Sequence, residues 1–263
     1  MTKIIDFHAH AFPEAVAKRA VANVGNYYDI PMHGTGKIDD LLKSILNAHV
    51  DYVVIHSTAT KASQVKNINS WVAEHAGGKL IGFGTLHPDM EDIEGEFERI
   101  ISMGLKGIKL HPDFQHFNAD DPKMDKIYGA IDNRLPLLIH AGDENFDSSS
   151  PERLAHVLKK FPRLTMIAAH LGGYRKWKDA WDCLIGKNLY LDTSSAIQYM
   201  DRVFATQIIK KHGTNRVVFG TDYPAAYHDE ALEVFNQLDL NDQERADILF
   251  NNAARLLGIS NAS

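Results

Sequence analysis

Two histidines one residue apart close the first apolar run of the chain, Ile4-Ile5-Asp6-Phe7-His8-Ala9-His10. The run is short and β-branched and reads as a strand, and alternation along a strand turns His8 and His10 to one face. Two imidazoles on one face at that spacing can grip a single metal ion. Taken alone, the pair reads more readily as polar residues finishing a strand, since many histidines bind no metal. The remaining residues decide between these readings.

The elements that would position such chemistry follow a regular alternation. Apolar or β-branched runs at residues 3–8, 50–56, 80–86, 105–110, 135–140, 164–170, 188–192 and 216–222 are predicted as eight strands. Segments of helical period separate and follow them at 39–48, 62–76, 90–103, 122–133, 151–161, 175–185, 200–212 and 228–238. Gly77, Gly104, Gly186 and Gly213 stand where helices would stop in a left-handed residue. Asp121-Pro122 and Ser150-Pro151-Glu152 pair a capping residue with proline at the first helical position. Strands alternating with helices predict a parallel sheet, and eight units in a chain of 263 residues match the closed (β/α)8 TIM barrel. An open doubly wound sheet is the competitor, but the first turn is His-Ala-His-Ala-Phe-Pro, with no glycine-rich phosphate fingerprint. Residues 241–257 are predicted as an extra C-terminal helix covering the barrel end, and a single domain is expected over residues 1–263. Residues 11–38, with Gly25, Pro31, Gly34 and Gly36, form the longest connection, and long connections in compact domains are often functional.

Composition narrows the chemistry. A net charge of -6 with scattered basic residues offers no general attraction for nucleic acid or an anionic membrane. The single cysteine, Cys183, rules out an internal disulfide and a thiolate metal cluster. With no signal-peptide pattern and no apolar run near the roughly 18 residues of a membrane span, a soluble cytoplasmic protein is expected. Its expected partner is a small-molecule substrate, and the sequence leaves a homo-oligomer open.

In a barrel the active site lies at the C-terminal ends of the strands. Those ends carry His8 and His10, then His56, His87, Lys109 with His111, His140, His170, Asp192 and Asp222. Lys109 and His111 share one strand face, as do Val218, Gly220 and Asp222. Several imidazoles and a carboxylate without thiols suit zinc, or manganese or iron in its place.

Four motifs together resemble the amidohydrolase superfamily: His8-Ala9-His10, Leu138-Ile139-His140-Ala141-Gly142, Ala168-Ala169-His170-Leu171-Gly172-Gly173, and Gly220-Thr221-Asp222-Tyr223-Pro224. Within it the chain is similar to the amidohydrolase-related group that includes aminocarboxymuconate semialdehyde decarboxylase, ending in Asn252-Ala253-Ala254-Arg255-Leu256-Leu257. The resemblance implies that His8, His10, His140 and Asp222 ligate one divalent ion, that Asp222 also carries a proton, and that His170 stays off the ion to position water or polarise substrate. A strand-four lysine bridges two ions in some relatives, so a two-metal site is the lesser expectation. Lys109 and His111 are otherwise read as binders of an anionic substrate group, with Lys109 equally open to a buried structural role. His56 and His87 read as structural, Asp6 as core or supporting, and Asp192 to Ser195 as substrate donors or a satisfied turn. Tyr174, Arg175 and Trp177 could shape specificity.

The expected activity is metal-dependent hydrolysis of a C–N or C–O bond in a small carboxylate-containing molecule. The alternative is non-oxidative decarboxylation of a small unsaturated or aromatic acid, with Lys109 or an arginine such as Arg19 seating the carboxylate. A barrel that binds metal without catalysis is disfavoured by the presence of both His170 and Asp222. Phosphoesterases that begin with a His-x-His pair usually close with Asp-x-His, where this chain has Asp222-Tyr223-Pro224.

Overall fold

A computed structural model describes the chain except for Met1 and residues 261–263. Eight short strands run in order: β1 (Ile5–His10), β2 (Tyr52–His56), β3 (Leu80–Gly82), β4 (Ile108–Leu110), β5 (Leu137–Ile139), β6 (Met166–Ala168), β7 (Tyr190–Asp192) and β8 (Val217–Val218). Every neighbouring pair within the ladders is parallel. Regular ladders join β1 to β3 and β4 to β8, and individual bonds close the two seams. Between β3 and β4, Gly84 N–H donates to Gly107 O at 2.9 Å and Lys109 N–H to Gly84 O at 2.7 Å. Between β8 and β1, Phe7 N–H donates to Phe219 O at 2.8 Å, Asp222 N–H to His8 O at 2.9 Å and His10 N–H to Tyr223 O at 2.7 Å. The result is the (β/α)8 barrel expected from the alternation.

The ladders are shorter than the apolar runs because a barrel strand is bonded on both sides only across its waist. β8 keeps two residues of ladder, and Asp222 lies beyond it in a left-handed conformation, φ 63°. The register of β1 against β2 slips between Asp6 and Ala9, a bulge at the histidine pair. Bulges of this kind re-aim side chains next to functional sites.

The barrel interior is filled by Ile5, Phe7, Val54, Phe83, Leu138, Ile167, Ala169 and Val218, joined by Phe250, Ala253 and Ala254. Phe7 meets Phe83 edge to face, ring centres 5.5 Å apart, a pairing worth about 0.5–1.5 kcal/mol beyond its burial. Glycine at 107 makes room for this packing, since a Cβ there would lie 2.4 Å from the Phe83 ring. Phe250, Ala253 and Ala254 belong to the predicted C-terminal segment, which forms Asp242–Ala246, a wider π turn at Asp247–Asn251 and Asn252–Leu257. It plugs the barrel floor, leaving the opposite end of the strands for chemistry.

Outside the strands stand helices Ile38–Asn47, Val65–His75, Ile93–Ser102, Asp125–Ile131, Pro151–Lys160, Trp177–Cys183, Arg202–His212 and His228–Phe235. Their apolar faces pack on the outer strand faces in one continuous core. The anticipated caps are made, with the Ser150 hydroxyl accepting from Arg153 N–H and the Asp121 carboxylate from Lys123 N–H. Beyond short turns such as Pro112–Gln115, one long helix was not anticipated: α1 (Glu14–Tyr28) occupies the long first connection. Its alanine-rich sequence is helix-forming, but it buries only Ala17 and Gly25 and so lacks the apolar stripe that marks a barrel helix.

Candidate metal centre

β1, β8 and β4 bring four polar side chains to one point above the interior core. His8 Nε2 and His10 Nε2 are 3.3 Å apart, and each stands 3.2 Å from Asp222 Oδ1. Donor atoms about 2.1 Å from a shared divalent ion stand roughly 3.0–3.4 Å from one another. The three atoms therefore have the spacing of one face of a coordination polyhedron. His8 is fully buried, whereas His10 and Asp222 keep 20% and 17% of their side-chain exposure, so the cluster opens on one side.

Hydrogen bonds determine which nitrogen faces the cluster. His8 Nδ1 lies 2.8 Å from Asp192 Oδ2 and donates to it, leaving the Nε2 lone pair for the shared point. Asp192 is itself held, its Oδ1 accepting from the backbone N–H of His170 and of Ser194, each at 3.0 Å. Burial alone would raise the Asp192 carboxyl, but the His8 ring and its hydrogen bond outweigh this and hold it at about 2. Burial would likewise raise Asp222, and the facing His8, His10 and His170 rings hold it well below the usual carboxylate range. Ser195 Oγ donates to Asp222 Oδ2 at 2.6 Å, fixing the other carboxylate oxygen. His10 is pushed down to about 4 by burial, against the pull of Asp222, so its ring is neutral at neutral pH.

Lys109 is fully buried, and its Nζ donates to His8 Nε2 at 2.9 Å. Burial lowers its ammonium to about 8, with Asp222 and Asp192 opposing. It thus belongs to the donor cluster itself. Asp6 sits beneath, accepting from His8 N–H at 2.9 Å and from the Thr221 hydroxyl at 2.6 Å, a supporting role for the β1 and β8 backbones.

His140 and His170 form a second pair. His170 Nδ1 donates to Ser194 O and His140 Nε2 to Gly142 O, both at 2.8 Å. The two remaining nitrogens, His140 Nδ1 and His170 Nε2, face each other at 3.0 Å. Burial lowers both rings below their ordinary value, so two lone pairs confront each other, an arrangement relieved by a cation between them. His140 is therefore joined to the His8, His10 and Asp222 group through His170, whose ring centre is 5.2 Å from that of His8. His111 lies just past the end of β4, stacked on His140 with ring centres 3.9 Å apart.

Backbone strain concentrates here. His170, Leu171, Ser195 and Asp222 all have positive φ without being glycine. Such conformations cost on the order of 1–3 kcal/mol each and persist where surrounding structure enforces them.

The mouth is aromatic. Tyr28, at the end of α1, directs its hydroxyl to His111 Nε2 and His140 Nε2, each at 3.2 Å. Tyr174 packs 5.2 Å from Tyr28 and 5.8 Å from His170, and Trp177 Nε1 donates to His170 O at 3.0 Å. Arg175 lies over Tyr174 and Tyr199, while Arg19 is exposed on α1. Sequence reasoning missed the orienting role of Asp192 and missed Tyr28 altogether. The adjacent Tyr27-Tyr28 in the long connection was the available signal for the second. His87 Nδ1 accepts from Asp89 N–H at 3.2 Å.

A parallel eight-stranded barrel whose strand ends gather histidines, a lysine and two aspartates belongs to a recognisable class, and the sequence comparison agrees. The profile of the amidohydrolase family matches residues 5–259, and the chain belongs to that family. No curated protein matches the chain. Among solved structures, an uncharacterized TIM-barrel protein from Bordetella bronchiseptica superposes with a TM-score of 0.78 at 19% identity, covering 98% of this chain and 99% of that one. The 5-carboxyvanillate decarboxylase of Sphingomonas paucimobilis gives 0.76 at 18% identity, over 99% and 100%. A dihydroxybenzoic acid decarboxylase from a Polaromonas species, with bound manganese and the inhibitor 2-nitroresorcinol, gives 0.74 at 16% identity, over 100% and 98%.

Proposed function

We propose that this protein is a metal-dependent non-oxidative decarboxylase of a small unsaturated or aromatic carboxylic acid. The observation that carries the metal-dependent part is the mutual 3.2–3.3 Å spacing of His8 Nε2, His10 Nε2 and Asp222 Oδ1, with His8 and Asp222 oriented by Asp192 and Ser195. The hydrolase expected from sequence shares this site. Decarboxylation is preferred because several structures of similar shape over nearly the whole chain are decarboxylases, two of them holding manganese, although a probable 2-pyrone-4,6-dicarboxylic acid hydrolase also shares the shape. The donor chemistry of imidazole and carboxylate without thiolate suits zinc, manganese or iron. Bound there, a divalent ion would supply Lewis acidity to polarise a substrate oxygen or bound water.

The chain's own residues account for the remaining steps. Asp222, held as a carboxylate, starts as a base that takes a proton from water or a substrate hydroxyl and returns it to the carbon bearing the carboxylate. The C–C bond then breaks, its electron pair stays with the unsaturated system, and carbon dioxide leaves. Lys109 supplies buried positive charge beside the donors, and His170, whose Nε2 faces His140 Nδ1, serves as an orienting group. The tyrosines and Trp177 exclude water and offer planar surfaces to a planar substrate.

A second reading of the ion count is favoured by the facing lone pairs of His140 and His170, which suit a second ion near Lys109. Metal analysis of purified protein separates one equivalent per chain from two. The activity is tested by carbon dioxide release from a panel of aromatic and unsaturated acids beside turnover of lactones and amides. Release of carbon dioxide supports the proposal, hydrolysis alone returns the site to a hydrolase, and inactivity on both panels counts against both.

A further inference from the structure

His56 has no assigned role, yet it is fully buried at the end of β2 with neither ring nitrogen hydrogen-bonded. A buried polar group left unpartnered is destabilising, and such groups call for a water, an ion or a chemical function. The structural histidines of this chain do not behave this way. His212 Nε2 donates to Leu189 O at 2.9 Å while its Nδ1 accepts from Gly186 N–H, and His87 caps a turn.

His56 pairs in register with His10 across β1 and β2, so both side chains reach the same end of the barrel. Its ring centre lies 4.4 Å from that of His10 and 5.0 Å from that of His8, beside the 5.3 Å between His8 and His10. Imidazoles that bind one ion at about 2.1 Å have ring centres roughly 5 Å apart. One nitrogen from each of His8, His10 and His56 falls within 4.8 Å of the other two. The His8 contribution is already oriented by Asp192, and His56 has unbonded ring nitrogens to offer beside it.

We propose that His56 is a further protein ligand of the ion held by His8, His10 and Asp222, an inference that rests on the metal-centre reading above. The strand-two histidine then contributes an imidazole from the β2 side of the cluster. Its second nitrogen is left to donate to water.

The test is zinc titration of the whole protein, labelled with 15N-histidine, followed by long-range 1H–15N correlation spectra, with the His56→Gln variant used to assign the His56 ring. The expected result is that one His56 nitrogen moves to the metal-bound range at the same zinc equivalents as those of His8 and His10. Shifts at His8 and His10 with both His56 nitrogens unmoved overturn this inference and leave the metal centre standing. No shift at any of the three overturns the metal centre and this inference together. Zinc affinity of His56→Phe, measured by competition with a chelator, is expected to fall by more than the 10–100-fold typical of residues that only orient a ligand. A smaller loss with an unchanged His56 spectrum in the native protein assigns the ring to bound water and overturns direct ligation.

Discussion

Replacing Asp192 with asparagine tests the claim that hydrogen bonds, and not the histidines alone, build the donor cluster. In the native chain Asp192 Oδ2 accepts from His8 Nδ1 at 2.8 Å, while Oδ1 accepts from the backbone N–H of His170 and Ser194. Asparagine keeps an oxygen for the two backbone donors and so preserves the β7 turn. It presents an NH2 group to His8 Nδ1, which must then become an acceptor. The His8 proton moves to Nε2 and occupies the lone pair directed at His10 and Asp222. Loss of an orienting partner of this kind typically costs 10–100-fold in metal affinity, about 1.4–2.7 kcal/mol. Chelator competition with zinc measures that loss, and 15N spectra of the apo protein report the His8 tautomer. An Asp192→Asn protein that binds zinc with native affinity and keeps its His8 proton on Nδ1 would refute the reasoning.

Three further outcomes follow from the same structure. Asp222→Asn should retain the fold and lose turnover by at least 100-fold, the lower range for a group in general acid–base catalysis; native turnover would remove the proton role. His212 is pushed down to about 4 by burial, against an ordinary 6.5. A depressed histidine contributes stability that is present above about 6.5 and lost as pH falls toward 4, up to roughly 3 kcal/mol. Urea unfolding should therefore show His212→Gln losing less stability than the native chain between pH 7 and 4, and parallel pH curves would contradict this. Leu138→Ala, in the barrel interior, should cost about 2–5 kcal/mol in the same assay, and a cost below 1 kcal/mol would show that the interior can collapse around it.

The barrel was legible because alternation of apolar runs with helical segments survives in a linear string, and eight repeats leave few architectures. Boundaries were less so, since the ends of β8 and β4 are set by where neighbours stop bonding, which no local pattern encodes. His8, His10 and Asp222 meet as the motifs implied, because strand ends in a barrel converge whatever the intervening residues do. The positions of His140 and Lys109 relative to that point depend on strand tilt and on side-chain partners as far as 101 and 112 residues away in sequence. Asp192 illustrates the limit: beside Thr193, Ser194 and Ser195 it reads as a turn, and only the fold shows that its carboxylate reaches His8 from 184 positions away. α1 escaped notice because helix propensity without an apolar stripe is weak evidence, yet it carries Tyr28 into the mouth.

Crystals of the manganese- or zinc-loaded protein, measured at the metal absorption edge, locate the divalent ion directly. An anomalous-difference peak is expected about 2.1 Å from His8 Nε2, His10 Nε2 and Asp222 Oδ1. A protein that remains metal-free under those conditions, or a peak away from these three atoms, would contradict that placement.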